Sequence, residues 1–223
     1  MWSRWFEAPD ELGHYLPSVL VSETRAEEAR RTLAAMTRVA GRQFVFKDVY
    51  FTMSPSAILK AFPSARVVVV QRDFGAVCAS VLDARMRAAE QRWWSISPPF
   101  SAEVIDKDLL KQTAFQCVRA RQLLERELDT VSRDRCLTVD YEQICHSPAS
   151  YMDSIRQWVG GEIVDRGDPR IPLSFEPRTP KTIPPELRER FERLCTALSF
   201  DRDEYLRRVD ECVTRRVRGE VRG

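Results

Sequence analysis

Three short apolar runs in this chain end in residues able to do chemistry. QFVF is followed by Lys47 and Asp48, VVVVQ by Arg72 and Asp73, and CLTV by Asp140, Tyr141 and Glu142. If each run is a strand of one parallel sheet, all three polar ends open on the same edge. Ligands of such sheets collect there, beside helix N-termini. Ser80 lies eight residues after Arg72, two turns into the helix that would follow the second strand. A strand-end arginine and a helix hydroxyl can hold a phosphate from two sides, one through a forked charged contact and the other through a neutral donor. On spacing alone the plainer reading is an Arg72 paired with a surface acid and a Ser80 packed in its helix.

The elements that must position these residues are legible in the pattern. Residues 23–40 predict a helix, with Ser22 as its cap, acids in its first turn, Ala29, Leu33, Met36 and Val39 on one stripe, and Gly41 at its end. Strand QFVFK is expected at 43–47, and a helix opened by Ser54 with Pro55 in its first turn at 54–62. VVVVQ at 67–71 is apolar throughout, as a strand covered on both faces should be. Helices are expected at about 75–91 and 106–131, with Pro98 and Pro99 between them, then a strand at 136–141. Ser147 and Pro148 open another helix, which closes at Gly160 and Gly161. Residues 1–22 read as packed loop or short helical turns, and 165–185 as a loop rich in proline and charge. Residues 185–217 read as amphipathic helix broken near Ser199–Asp201. Strands alternating with helices imply an α/β fold with a parallel sheet between helical layers. The expected organisation is one domain over 1–223, with a core at 1–185 and a helical tail at 186–223.

Composition narrows the function classes. A formal charge of +2 demands no basic face of the kind that binds nucleic acid. No run approaches the ~18 apolar residues of a membrane span, and the opening MWSRWFEAPDELGHYLP lacks the apolar segment of a signal peptide. Six cysteines without a C-x-x-C pair, and histidine at positions 14 and 146 alone, argue against a zinc site. The thiols are expected to be reduced, in a cytoplasmic protein. His146 reads as a turn residue and His14 as a packing residue.

The segment FVFKDVYFTMSPSAILKAFPSARVVVVQRDFGAVCASVLDAR resembles the central region of the sulfotransferase family. The shared features are a strand-end lysine, then Leu59, Phe62-Pro63 and Arg66, an apolar strand, and Arg72-Asp73, Val77 and Ser80. TVDYEQICHSPASYMDSIRQWVGG is similar to a later block of the same family, in the right order, and the likeness extends over roughly residues 1–185.

The resemblance implies a three-layer parallel sheet of the P-loop type and 3′-phosphoadenosine 5′-phosphosulfate (PAPS) as sulfuryl donor, with no metal. Arg72 and Ser80 match the residues that bind the 3′-phosphate, and Tyr141 one that lies near the adenine. Lys47 matches a lysine beside the sulfuryl group, and Lys181 sits where members carry a basic loop. Two departures stand out. The Gly-rich loop that grips the 5′-phosphosulfate has no counterpart in the chain, nor has its strand, the central one of the sheet; a start upstream of Met1 would explain both. The general-base histidine of many members is Val49 here, leaving Asp48 as the nearest candidate base. The expected acceptor is a small molecule, saccharide or lipid with a hydroxyl or amine, and a homo-oligomer is compatible with an open sheet edge. The alternative is a non-catalytic module that binds the nucleotide or docks a partner.

Overall fold

The computed structural model describes residues 4–41, 44–87, 95–160, 172, 174–176 and 182–220. Helix α1 (Glu23–Ala40) begins where Ser22 accepts from the Arg25 amide at 3.4 Å and ends at Gly41, whose φ of 62° is left-handed. Helix α2 (Pro55–Ala61) follows, then β1 (Val67–Gln71) and α3 (Phe74–Arg87). Helix α4 (Leu109–Thr130) starts where Asp108 Oδ1 accepts from the Lys111 amide at 3.1 Å. After it come β2 (Cys136–Asp140), α5 (Tyr141–His146), α6 (Pro148–Val159), α7 (Pro185–Phe200) and α8 (Arg202–Val217).

Helix α4 organises the packing. Every residue from Gln112 to Ala120 is buried, and a helix buried all round needs neighbours on every side. Helices α2, α3 and α7 supply them, together with the single turns at Tyr50–Met53 and Ser101–Val104. One apolar cluster joins Leu12, Met53 and Leu123 to Tyr205 and Val209 of α8. Another joins Trp5, Phe6 and Leu16 to Ala26, Ala29 and Ala57. A third sets Cys78 and Leu82 of α3 against Ala114 and Phe191.

The sheet of the described residues has two parallel strands, with Val67 opposite Cys136 and Gln71 opposite Asp140. Helices and a parallel pair keep the chain in the α/β class, but the three layers expected around a wider sheet are not formed by these residues. The strand expected at 43–47 is corrected by the structure. Residues 44–48 carry no regular secondary structure, and Val45 is 96% exposed. A strand persists where a neighbour completes its ladder; β1 and β2 complete each other, and among the described residues no strand pairs with 44–48. The Phe44 and Phe46 rings stack on each other instead, with centroids 5.8 Å apart. β1 also departs from expectation: it is not enclosed on both faces, since Val70 is 55% exposed.

Arginines tie the segment FPSAR to the sheet. Arg135, just before β2, donates through Nη2 to the carbonyls of Leu59 (3.1 Å), Phe62 (2.9 Å) and Ala65 (3.1 Å). Arg30 of α1 reaches the Ala61 carbonyl at 2.7 Å. The orphan carbonyls that end α2 are thus satisfied by side chains, and the Val67 amide then bonds Arg135 O at 2.9 Å, where the β1–β2 ladder begins. All six cysteines are free thiols. Among the described residues no helix is long and apolar enough to cross a membrane, and no group of side chains is placed to hold a metal ion.

Candidate functional site

β1 and β2 end side by side, so the residues that follow them share one end of the sheet. Asp73 turns the chain into α3, its Oδ1 accepting from the Ala76 amide at 2.7 Å. Asp140 does the same for α5, accepting from the Gln143 amide at 2.9 Å. These two carboxylates serve as helix caps, which leaves Arg72, Tyr141 and Glu142 as the groups free to meet at this edge.

They do meet. The Arg72 guanidinium lies over the Tyr141 ring, 4.7 Å from its centroid, a cation–π contact that fixes the plane of the fork. Glu142 Oε1 stands 3.8 Å from Arg72 Nε, an ion-pair separation beyond hydrogen-bond length. Nε itself is buried and makes no hydrogen bond. Ser80 sits half-buried on the following helix, in register with Asp73 and Val77, and Val77 is 37% exposed. That face of α3 is therefore partly open.

The other sequence candidates lie elsewhere. Lys47 is exposed on the irregular segment 44–48 and does not sit at a strand end. Asp48 Oδ1 accepts from the Tyr50 amide at 2.8 Å, capping the turn at Tyr50–Met53. Lys181 falls outside the described residues. His146, expected in a turn, is the last residue of α5, with Nδ1 2.7 Å from the Glu142 carbonyl.

His14 is more constrained than its sequence context suggests. Its backbone amide donates to Ser97 O at 2.8 Å, and the Ser97 amide donates back to His14 Nδ1 at 2.9 Å. Its ring meets Tyr50 edge to face, with centroids 4.6 Å apart. Burial holds its pKa below the ordinary value. Gly13 permits this approach. At φ 58° an added Cβ would lie 2.3 Å from Ser97 O, closer than any side chain tolerates. No sequence signal linked residues 13–14 to 97. The role of Glu142 beside Arg72 was likewise unassigned, although Glu142 stood next to Tyr141 at the strand end.

Residues 3–165 match the model of the Sulfotransferase family, and the chain belongs to that family. The matched stretch includes β1, β2 and the Arg72 edge, while α7 and α8 lie beyond it. No curated protein and no solved structure matches the chain. Membership supports a sulfotransferase-type function for the chain.

Proposed function

We propose that the chain binds a 3′-phosphoadenosine nucleotide at the Arg72 edge and, as a transferase, moves a sulfuryl group from PAPS to a hydroxyl or amine. The observation that carries this reading is Arg72 stacked on Tyr141 with a buried, unbonded Nε. A buried donor left without an acceptor is costly, and a phosphate oxygen is an acceptor that would relieve it. Arg72 would bind the 3′-phosphate and Ser80 would add a neutral donor from α3. Tyr141 would orient the guanidinium and border the adenine, with Lys181 as a further basic contact.

The donor, when bound, supplies an activated sulfuryl group. Lys47 would stand as a cation beside it and Asp48 as the nearest base for the acceptor proton. In the wider fold that this reading implies, the layered P-loop type, a further parallel strand and its Gly-rich loop complete the sheet. The acceptor is a small molecule, saccharide or lipid, and the chain works in the cytoplasm, alone or as a homo-oligomer.

A second reading is favoured by a separate observation: Lys47 is exposed on an irregular segment, and Asp48 is occupied in a turn. A module that keeps the 3′-phosphate grip without transfer would look this way.

Titration of the protein with adenosine 3′,5′-bisphosphate and with 5′-AMP tests the shared core of both readings. Wild type should prefer the bisphosphate. Arg72→Ala should weaken the bisphosphate by about 1.5–3 kcal/mol, roughly ten- to over a hundredfold, and leave AMP unchanged. Ser80→Ala should cost less. Equal binding of the two nucleotides by wild type would remove the 3′-site. Transfer then separates the readings, because in an enzyme Lys47→Ala lowers turnover more than nucleotide affinity.

A further inference from the structure

Arginine receives an oxyanion end-on through its two Nη atoms or side-on through Nε and one Nη. At Arg72 a carboxylate already stands on the Nε side. Glu142 Oε1 stands 3.8 Å from Nε, and Nε is shut away from solvent without a hydrogen bond. Tyr141 covers a face of the guanidinium. The carboxylate is thus near enough to attract the cation and too far to satisfy its donor.

We infer that Glu142 is a built-in competitor of the anion at Arg72, a placeholder that must swing away before a phosphate can bind side-on. This rests on Arg72 being the anion-binding group of the proposed function. Glu142 can move, because its side chain is 41% exposed while that of Arg72 is 25% exposed. It rides on α5, whose first turn is fixed independently by Asp140, so its release costs no backbone contact. A phosphate that replaces it brings a shorter bond to Nε and removes the orphan donor. If the phosphate stays end-on instead, the carboxylate remains as a like charge across the same cation. In both geometries Glu142 opposes binding, and it lowers the affinity of the site without touching the nucleotide.

The test is titration of wild type and Glu142→Gln with inorganic phosphate and with adenosine 3′,5′-bisphosphate, at low salt and at high salt. Glutamine keeps the shape and removes the charge. Glu142→Gln should bind both ligands more tightly at low salt, by roughly fivefold, with the gap closing at high salt as screening takes over. Equal or weaker binding by Glu142→Gln would overturn the inference and make Glu142 a residue that positions Arg72. Absence of phosphate binding to both proteins would overturn it as well. If Glu142→Gln tightens phosphate while wild type fails to prefer the bisphosphate over AMP, the competitor role stands and the nucleotide reading falls.

Discussion

Because the Ser97 amide donates to His14 Nδ1, the neutral ring must carry its proton on Nε2. Protonating the ring places a hydrogen on Nδ1 and breaks that contact, in agreement with a pKa held below the ordinary 6.5 by burial. The unfolded chain therefore binds more protons than the folded one as pH falls through 6.5. The stability that His14 confers is complete above that value and is lost as pH drops through the lower, folded value. His14→Asn offers Oδ1 to the Ser97 amide in place of Nδ1 and cannot titrate. It should hold stability near pH 7.5 to within about 0.5 kcal/mol and flatten the decline in stability below about pH 6.5. His14→Ala should lose about 0.5–1.5 kcal/mol at the higher pH. Urea unfolding across pH reads both, and equal slopes in wild type and His14→Asn would show that another group titrates. Arg72 and Tyr141 stood out as candidates in the sequence because each directly follows an apolar run, and both runs form strands. The strand expected to end at Lys47 did not form, because it needed a neighbour that local sequence does not specify.

Among the elements, α2 is a helix of seven residues that cannot stand on its own propensity. Its ends are held from a distance. Glu127 of α4 accepts from the Ser56 amide at 3.2 Å at the start, while Ser54, the expected cap, turns its Oγ to the Leu16 amide at 2.9 Å. Glu127 also accepts from Tyr15 OH at 2.7 Å, and burial together with that carboxylate pushes the Tyr15 pKa upward. At the other end Arg135 gathers three carbonyls. Arg135→Ala should therefore destabilise the fold by about 1.5–3 kcal/mol, and Arg135→Lys should restore part of that loss, since an ammonium cannot span the same carbonyls. Chemical denaturation measures both, and a change in Arg135→Ala within about 0.5 kcal/mol would reduce the cluster to a surface contact. Local chemistry was readable here: Ser22, Gly41, Pro55 and Pro148 all mark helix ends where the sequence placed them. The caps that reach across the fold, Glu127 and Arg135, were not, because their partners lie 70 to 76 positions away. Helix α5 escaped notice for a different reason, since six residues show no periodic stripe.

For the whole molecule, the distribution of buried surface places the centre of stability in the helical layer around α4, with the two-stranded sheet as a partly open flank. Leu123 is fully buried within the largest cluster, and Leu123→Ala should cost about 2–5 kcal/mol. Val70 is 55% exposed at the end of β1, so Val70→Ala should cost less than about 1 kcal/mol. Comparable losses from the two would mean that Val70 is covered in solution by something beyond the described residues. The alternation of helix and strand that announced an α/β chain was sound at the level of class. It overstated the sheet, because hydrophobic runs such as QFVF and VVVV record a preference for burial without naming what covers them.

The central claim is that Arg72 receives the nucleotide's 3′-phosphate, and its buried Nε–H is the atom that reports it most directly. The arginine Nε–H resonances can be followed by NMR during titration, with the Arg72 signal assigned by its loss in Arg72→Lys. Adenosine 3′,5′-bisphosphate should move that signal strongly downfield as Nε gains a charged acceptor, and 5′-AMP should leave it in place. A bisphosphate that binds while the Arg72 Nε–H and Nη–H signals all stay fixed, or moves them equally with AMP, would contradict the assignment.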